Sequence, residues 1–408
     1  MSDNLKPRDG KEVEEAVQWA LAKGKTFEVV GHGTKRAIGR AAQWDATLDL
    51  SGLSGVTLYE PEELVLSAKA GTPLAEIEAL AASRNQALAF EPIDYAVLLG
   101  GEAGNGSLGG TIAANLSGPR RIKVGAARDH FLGVTAVSGR GETFKSGGRV
   151  VKNVTGYDLC KLIAGSWGTL AAMVDLTIKT LPAAETEETV LVLDLDDATA
   201  VKVMTAAMGS FADASAAAHL PATAAARIAE TASAGAAVTA FRLEGVAPSV
   251  AQRRSVLQSL LASFGSLGSL GEAASRALWR AIRDVAPFAA QGPCGKHDLW
   301  RISTAPAHGA RLAVELARAG DLELVYDWAG GLVWAAMPPS DNAHAALVRA
   351  AAAAHGGHAT LIRAPVAVRA AVDIFTPEEP VLAALAKRVR AGFDPQGVLN
   401  PGRMWAGV

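Results

Sequence analysis

Clustered glycine constrains the folding of this 408-residue chain more than any other feature of its sequence. Six of the twelve residues from Leu99 to Gly110 are glycine. Glycine loses more conformational freedom on folding than other residues, so this segment cannot hold a regular element without cost. The pattern predicts that the backbone here comes close to another group.

The run from Gly109 to Gly118 continues this pattern with small residues at nearly every position. Small side chains let a flat cofactor lie against the main chain, and Asn115 and Ser117 add fixed hydrogen-bonding groups. The alternative interpretation is a glycine-rich surface loop, although such a loop would be unusually hydrophobic. The run is therefore a candidate cofactor site.

A second glycine-rich turn, Gly31-His32-Gly33-Thr34, follows a predicted strand at 26–30. A dinucleotide-binding helix would require a third glycine where Arg36 stands, and a predicted strand at 47–50 leaves no room for a long helix. A turn whose amides point at one anion is consistent with these residues. An ordinary turn from strand to loop is equally consistent, and both interpretations stay open.

The order of the predicted elements indicates two domains. Apolar residues at helical spacing predict a helix over 13–21 that ends at Gly24, and Thr72 as N-cap with Pro73 as first residue predicts another. Residues 132–137 and 142–145 are typical of a hairpin, and alternation at 174–178 predicts a half-buried strand. After Pro182, strands and Ala-rich helices alternate to about residue 363, which predicts a second, α+β domain.

Composition excludes several classes of protein. The chain has 39 Lys and Arg against 41 Asp and Glu, so we expect no nucleic-acid partner. Its longest charge-free stretches, 103–119 and 255–271, are shorter than the roughly 20 residues of a membrane span. With two cysteines and no apolar signal at the N-terminus, we expect a reduced, cytoplasmic protein with at most peripheral membrane association.

Metal and thiol chemistry are not predicted. His355 and His358 have a spacing that suits a metal, but no third ligand stands nearby in a recognisable pattern. Cys160 and Cys294 lack a neighbouring catalytic His or Asp. We therefore expect no metal site, and the sequence assigns no catalytic residue.

An ordered set of motifs resembles the vanillyl-alcohol-oxidase (p-cresol methylhydroxylase) type of FAD-binding domain. Each motif alone is weak, whereas their order is specific. The set comprises Gly31 to Thr34, Glu60 to Leu64, Ala70 to Leu74, Gly109 to Gly118, Asp129 to Gly133, Thr155 to Leu159 and Gly165 to Leu170. The tail, Phe393 to Met404, resembles the D-lactate dehydrogenase and glycolate oxidase branch. Within that branch, Ser117-Gly118-Pro119-Arg120-Arg121 and the short length are most similar to the E subunits of bacterial glycolate oxidases.

The resemblance implies an α+β fold, with an FAD-binding domain at 1–182 completed by a return segment at 376–408, and an α+β cap domain at 183–375. It also implies noncovalent FAD, because Thr34 occupies the slot where some relatives carry a flavin-linked histidine. The implied FAD-binding residues are Gly31, His32, Gly33, Thr34, Lys35, Gly109, Gly110, Thr111, Ala114, Asn115, Ser117, Gly118, Gly168 and Val174.

The function implied by this branch is that of a redox subunit in a glycolate oxidase complex, with a flavin-bearing D subunit and an iron–sulfur F subunit as partners. The His-rich metal motif that relatives use to grip a 2-hydroxy acid is not found here, which leaves alternatives open. One is a stand-alone dehydrogenase whose Arg120, Arg121 or Arg363 binds the substrate carboxylate. Another is a partner-stabilising subunit without flavin.

Large aromatic residues of the second domain suggest a place for a partner. Aromatic side chains are enriched at interfaces, although most are buried in cores. We expect one or two of five to be exposed at a subunit interface on the cap, namely Trp279, Phe288, Trp300, Trp328 and Trp334.

Overall fold

The computed structural model describes residues 3–149 and 156–406. Its strands are β1 Asp3–Leu5, β2 Phe27–Val30, β3 Ala46–Asp49, β4 Val56–Glu60, β5 Val65–Lys69, β6 Gln86–Ala87, β7 Phe131–Ser138, β8 Thr143–Gly147, β9 Ala171–Lys179, β10 Leu181–Pro182, β11 Thr186–Leu193, β12 Ala216–Leu220, β13 Val238–Gly245, β14 Leu267–Leu270, β15 Asp298–Ser303, β16 Glu323–Asp327, β17 Leu332–Met337 and β18 His358–Arg363.

The α-helices lie between these strands, together with short 3₁₀ turns. They are α1 Gly10–Lys23, α2 Leu74–Ala82, α3 Ala96–Leu99, α4 Leu108–Ala113, α5 Arg121–Val124, α6 Leu159–Ile163, α7 Asp197–Met208, α8 Ala222–Ala225, α9 Ala247–Leu261, α10 Glu272–Arg283, α11 Gly309–Leu316, α12 Ala345–Ala354, α13 Val366–Ala371 and α14 Pro380–Phe393.

Two larger sheets and one two-stranded sheet, β10-β6, lie in the first part of the chain. A parallel sheet has the order β1-β3-β2, and an antiparallel sheet has the order β4-β5-β9-β7-β8. Helix α1 buries Val13, Val17 and Ala20 in an apolar core. Strands β2 and β3 contribute to this core, as does one face of the five-stranded sheet through β7 and β9. The other face of the five-stranded sheet forms a core with α2, α4 and α6. The three-stranded sheet is thereby fixed beside the larger one.

The second part of the chain is built on one eight-stranded antiparallel sheet in the order β14-β11-β13-β12-β16-β17-β15-β18. Helices α7, α9, α11 and α12 cover one face through a large apolar core. The opposite face packs on α8 and α10 and on Ile38, Tyr95 and Leu116 of the first part. The two parts therefore share an apolar core on this face.

The C-terminal segment returns to the first part. Phe27 pairs with Leu399, and the Phe27 amide donates to the carbonyl of Val398 at 2.7 Å. The buried Asp394 carboxylate accepts from the amides of Val398 and Leu399 at 2.9 and 2.8 Å. Since one side chain satisfies two amides, the turn beyond α14 is held in one conformation.

Several local predictions are confirmed. Helix α1 ends at Gly24, which adopts the left-handed conformation with φ of 61°. Strands β7 and β8 form the predicted hairpin, with Val134 opposite Ser146. Apolar periodicity, together with the glycines at helix ends and turns, suffices to predict these elements because their stabilising contacts are local in sequence.

Other local predictions are wrong. Thr72 does not cap α2: its hydroxyl donates to Lys69, and the helix begins at Leu74, after Pro73. The glycine-rich segment is helical at its end, since α4 includes Gly109 and Gly110 and Ser107 caps it, whereas its predicted close backbone approach is confirmed: a Cβ on Gly109 would lie 2.9 Å from the carbonyl oxygen of Ala70. Thr155 lies outside the described residues, as do its neighbours at 150–154.

The aromatic residues of the second part do not form a surface for a partner. Trp279, Phe288, Trp300, Trp328 and Trp334 are each at most 3% exposed. The prediction that one or two of them are exposed is wrong, because the sheet is covered on both faces. In the described part of the chain, no helix is long and apolar enough to cross a membrane.

Asn400 of the returning segment forms hydrogen bonds to the first part through both its side chain and its main chain. Its Oδ1 accepts from the amide of Val29 at 2.9 Å, and its Nδ2 donates to the carbonyl of Trp167 at 2.9 Å. Asn400→Ala removes these partners from two part-buried groups and places alanine at a φ of 47°, so we expect a loss of about 2–4 kcal/mol in the free energy of unfolding. Urea denaturation measures this loss. The control, Asn105→Ala, alters an exposed side chain and leaves the free energy of unfolding unchanged; equal values for the two variants would contradict the account.

Candidate functional site

A cleft of about 680 Å³ opens where the turn after β2 faces helix α4 and strand β9. Three segments that are distant in sequence form its walls, and a large part of its surface is main chain. Its lining residues are Val29, Val30, Gly31, His32, Gly33, Thr34, Lys35, Arg36, Leu50, Ala70, Ser107, Gly109, Gly110, Ala113, Trp167, Gly168, Ala171, Met173 and Arg403.

The turn after β2 lines this cleft and carries unpaired amides. Gly33 has φ of 72°, which bends the chain, and His32 is held by a contact of its Nε2 with the carbonyl of Gly71 at 2.8 Å. In the part of the chain that the structure describes, the amides of His32, Gly33 and Thr34 donate to no protein acceptor. Successive free amides of this kind suit one anionic group.

Close packing explains the glycines on both sides of the cleft. A Cβ on Gly31 would lie 2.4 Å from the Ser107 hydroxyl, and a Cβ on Gly109 would lie 2.9 Å from the carbonyl oxygen of Ala70. A Cβ on Gly110 would lie 3.5 Å from Nζ of Lys35, inside the cleft. Larger side chains would close the space between the turn and α4.

Two cations line the cleft, the half-buried Lys35 and the buried Arg403. Burial lowers the pKa of Lys35 to about 8, and its Nζ contacts the Thr34 hydroxyl at 3.2 Å. Burial likewise lowers the pKa of Arg403 to about 10; its guanidinium donates to the carbonyl of Lys35 at 2.8 Å and lies 3.9 Å from Glu28. The charge of Asp94 opposes this lowering, but among the described residues no carboxylate lies within 4.0 Å of the Lys35 amine, and such an amine favours an anion nearby.

A second cavity, of about 870 Å³, adjoins the cleft at Trp167, whose side chain lines both spaces. Ala114, Asn115 and Ser117 line this cavity. The Oδ1 of Asn115 accepts from the amide of Arg128 at 3.0 Å, and the Ser117 hydroxyl accepts from the amide of Ala127 at 2.9 Å. These two oxygens therefore stabilise the wall of the cavity.

Three of the predicted site residues line neither space. Thr111 is buried beside a neighbouring pocket. Gly118 is a packing residue, because a Cβ there would lie 2.6 Å from the carbonyl oxygen of Glu91. The side chain of Val174 faces Gly10, and Ala171 and Met173 of the same strand line the cleft. Alternation along a strand sends neighbouring side chains to opposite faces, which explains the one-residue difference.

The three arginines considered for a carboxylate differ in their surroundings. Arg120 forms a salt bridge with Glu244, and Arg363 donates to the carbonyls of Leu98 and Phe288, both at 2.8 Å. Their guanidinium groups are occupied by the protein itself. Arg121 lines the second cavity.

Sequence reasoning missed several lining residues, in particular Ser107, Trp167 and Arg403. A signal existed for two of them, since Trp167 lies within the motif Gly165 to Leu170 and Arg403 follows the tail motif. No pattern in the sequence could show that Arg403 returns to contact Lys35, which is 368 positions away.

Comparisons with known proteins agree with this arrangement. Residues 4–147 match the family model of the FAD binding domain. The chain is 31% identical to glycolate oxidase subunit GlcE of Escherichia coli over 396 residues, which cover 96% of each protein. It is also 33% identical over 174 residues to a D-2-hydroxyglutarate dehydrogenase of Xanthomonas citri pv. viticola, covering 42% of this chain and 35% of the relative.

A solved structure shows the same fold. The 4-ethylphenol oxidase from Gulosibacter chungangensis superimposes with a TM-score of 0.74 at 12% sequence identity, and the match covers 99% of this chain and 89% of that one. The predicted α+β fold class is thereby confirmed.

The amine of Lys35 makes the stability of the cofactor-free protein depend on pH. At neutral pH its amine is protonated in both states, so the folded protein without cofactor carries the full cost of burying the charge. Lys35→Met should therefore raise the free energy of unfolding by about 1–2 kcal/mol at neutral pH. Between the folded pKa of about 8 and the unfolded pKa of 10.5, the folded wild type releases the proton first, and the advantage of the variant shrinks.

Urea denaturation of cofactor-free protein at neutral pH and near the upper limit of this range measures the effect. Lys23→Met, which changes an exposed lysine at the end of α1, is the control and should not alter stability at either pH. If Lys35→Met did not raise the free energy of unfolding at neutral pH, or raised it equally at both pH values, the lysine charge would not be buried.

Proposed function

Because this chain belongs to the family of FAD-dependent oxidoreductases that includes glycolate oxidase subunit GlcE, we propose that it is the FAD-carrying redox subunit of a 2-hydroxy-acid oxidase complex. The observation that carries the proposal is the cleft, whose lining combines three residues with free amides, the cations Lys35 and Arg403, and several glycines. A subunit that had lost its flavin would have no need to keep this arrangement.

The residues of the cleft suit the diphosphate of FAD. The amides of Gly31 to Thr34 would hold the diphosphate, and Lys35 and Arg403 would offset its charge. The flavin ring and ribityl chain would follow the small residues from Gly109 to Ser117 toward the second cavity, with Gly168 and Met173 closing over the cofactor. When bound, FAD supplies the acceptor for a hydride from a CH–OH carbon.

This chain's own residues would bind, orient and shield the cofactor. Main-chain donors cannot change their charge, so the pH dependence of diphosphate binding would come from Lys35 and, at higher pH, from Arg403. Thr34 follows the turn in place of a flavin-linked histidine, and we propose noncovalent binding. We also propose that residues 1–182 and 376–408 form one FAD-binding domain and 183–375 its cap.

The partners that we propose are a flavin-bearing sister subunit that oxidises glycolate and an iron–sulfur subunit that receives the electrons. Cys160 and Cys294 are both buried, and burial raises the pKa of Cys160 to about 12. Two cysteines cannot supply the four thiolates of a common iron–sulfur cluster. A cluster that accepts electrons from this flavin would therefore lie on another chain.

The second candidate is a stand-alone dehydrogenase for a small 2-hydroxy acid. One observation favours it: Arg121 lines the second cavity beside the proposed position of the flavin ring. The two candidate functions, a redox subunit that relays electrons and a stand-alone dehydrogenase, differ in whether the isolated chain can take electrons from glycolate.

Gly110→Val should abolish FAD binding, because its side chain would fill the space between Ser107 and Lys35. The purified wild type should be yellow and release intact FAD on denaturation, whereas the variant should be colourless and take up no added FAD. Gly106→Val adds the same side chain where nothing lies within 4 Å, and it should bind FAD normally. Wild-type FAD binding by Gly110→Val would contradict the placement of the cofactor.

Activity assays separate the two candidate functions. Under the relay proposal, the isolated FAD-loaded chain reduces an artificial dye with glycolate poorly or not at all, and the chain supports rapid reduction when its sister subunits are added. Glycolate-dependent reduction by the isolated chain at an ordinary enzymatic rate, without any affinity for those subunits, would establish the stand-alone enzyme instead.

A further inference from the structure

Helix α14 exposes apolar side chains that the described part of the chain leaves uncovered. Its first seven residues, 380–386, have no charged or hydrogen-bonding side chain. Val381, Leu382 and Leu385 are 81, 56 and 47% exposed, and of the fourteen residues of the helix only Arg390 is buried. A surface helix normally turns an apolar stripe toward the core and a polar face toward water. The apolar surface of α14 is therefore a candidate contact for another molecule.

A groove of about 1670 Å³ runs along α14, and residues from 162–170 and 404–405 form its other wall. Most of the residues that line it are apolar. Three polar atoms at this groove are buried and have no hydrogen-bond partner among the described residues: Oγ of Ser166, Nη2 of Arg390 and Nε1 of Trp405. A buried donor without an acceptor costs free energy, so the groove favours an occupant that brings acceptors as well as apolar surface.

The charges of α14 are divided between its two ends. Glu378 and Glu379 are exposed just before its first turn, and Lys387 and Arg388 are exposed in its last two turns. Among the described residues, none of these four has an oppositely charged group within 4.0 Å, although Asp373, which precedes them, pairs with an arginine at 3.8 Å. When two identical helices of this kind lie antiparallel, the acidic end of each lies beside the basic end of the other.

We propose that two copies of this chain bind each other through α14, with the two helices antiparallel about a two-fold axis. Leu385, near the middle of the helix, would face its own copy. Glu378 and Glu379 of each copy would lie beside the basic half of the other helix, where Arg388 and the unpartnered guanidinium of Arg390 stand. A two-fold contact uses the same surface twice, so the apolar residues of both helices are covered together.

The distribution of charge favours a second copy over other occupants of this surface. An anionic lipid surface would attract the basic end of α14 and repel the acidic end. A second copy satisfies both ends at once and covers the apolar residues between them. The contact requires neither FAD nor a sister subunit, so it goes beyond the proposed function.

Sedimentation equilibrium of the purified full chain tests this contact. The wild type should reach twice the 41.9 kDa of one chain as its concentration rises. Leu385→Asp places two carboxylates opposite each other at the two-fold axis, and it should raise the dissociation constant of the dimer at least about tenfold. The control, Val314→Asp, changes a residue of α11 that is 73% exposed, and it should dimerise like the wild type.

Two charge-reversal variants make the test specific for an antiparallel pair of copies. Glu378→Lys/Glu379→Lys has cations at both ends of α14, and Lys387→Glu/Arg388→Glu has carboxylates at both ends. Each variant alone should be monomeric, because like charges face each other at both ends. An equimolar mixture should form a dimer with one chain of each kind, and a variant that had merely misfolded would not regain binding in this way.

The contact between copies is overturned if the wild type stays monomeric at every concentration, if the dimer persists in Leu385→Asp, or if the mixed charge variants stay monomeric. A monomer that binds sister subunits and loses them on Leu385→Asp would assign α14 to a different protein and would also overturn it. FAD content is measured on each sample. A dimer without FAD would support the contact while defeating the proposed function, and a monomer with FAD would do the reverse.

Discussion

A buried ion pair between Glu91 and Arg242 joins the two parts of the molecule, and the arrangement of the two binding spaces depends on it. Two parallel hydrogen bonds of 2.7 and 2.8 Å link the carboxylate to the guanidinium on β13. Burial opposes ionisation of Glu91, yet the charge and hydrogen bonds of Arg242 keep its pKa below the ordinary value. The same carboxylate accepts from the amide of Arg120, which in turn pairs with Glu244. Removing one member of such a network leaves an uncompensated buried charge.

This joint determines which arginines are available for a ligand. Arg120 forms a salt bridge with Glu244 within this ion-pair network, whereas the next residue, Arg121, lines the second cavity. Gly118 lets the chain pass close to the carbonyl of Glu91, and its own carbonyl accepts from Trp328. Within the motif from Ser117 to Arg121, Gly118 therefore serves packing, Arg120 belongs to the ion-pair network and Arg121 lines the second cavity. Trp167 lines both the cavity and the cleft, so the two spaces are neighbours.

Sequence reasoning predicted the local elements and the glycine segments of the cleft but not the contacts that complete the site. Helix α1 and the hairpin of β7 and β8 follow from periodicity. Strand β12 was missed because its Ala-rich sequence favours a helix, and only its central place in the sheet, with all five residues buried, makes it a strand. Arg301 and His358 come together through the pairing of β15 with β18, and Arg403 returns from the end of the chain. Contacts between residues that are distant in the chain produce no periodic pattern in a single sequence.

The most direct test of the account is a crystal structure of the purified chain with FAD. The account predicts that the diphosphate oxygens lie within hydrogen-bond distance of the amides of His32, Gly33 and Thr34, with Nζ of Lys35 beside them and the flavin ring extending past Trp167 toward the second cavity. A structure in which FAD binds elsewhere, or in which these amides contact only solvent while FAD is bound, would contradict it.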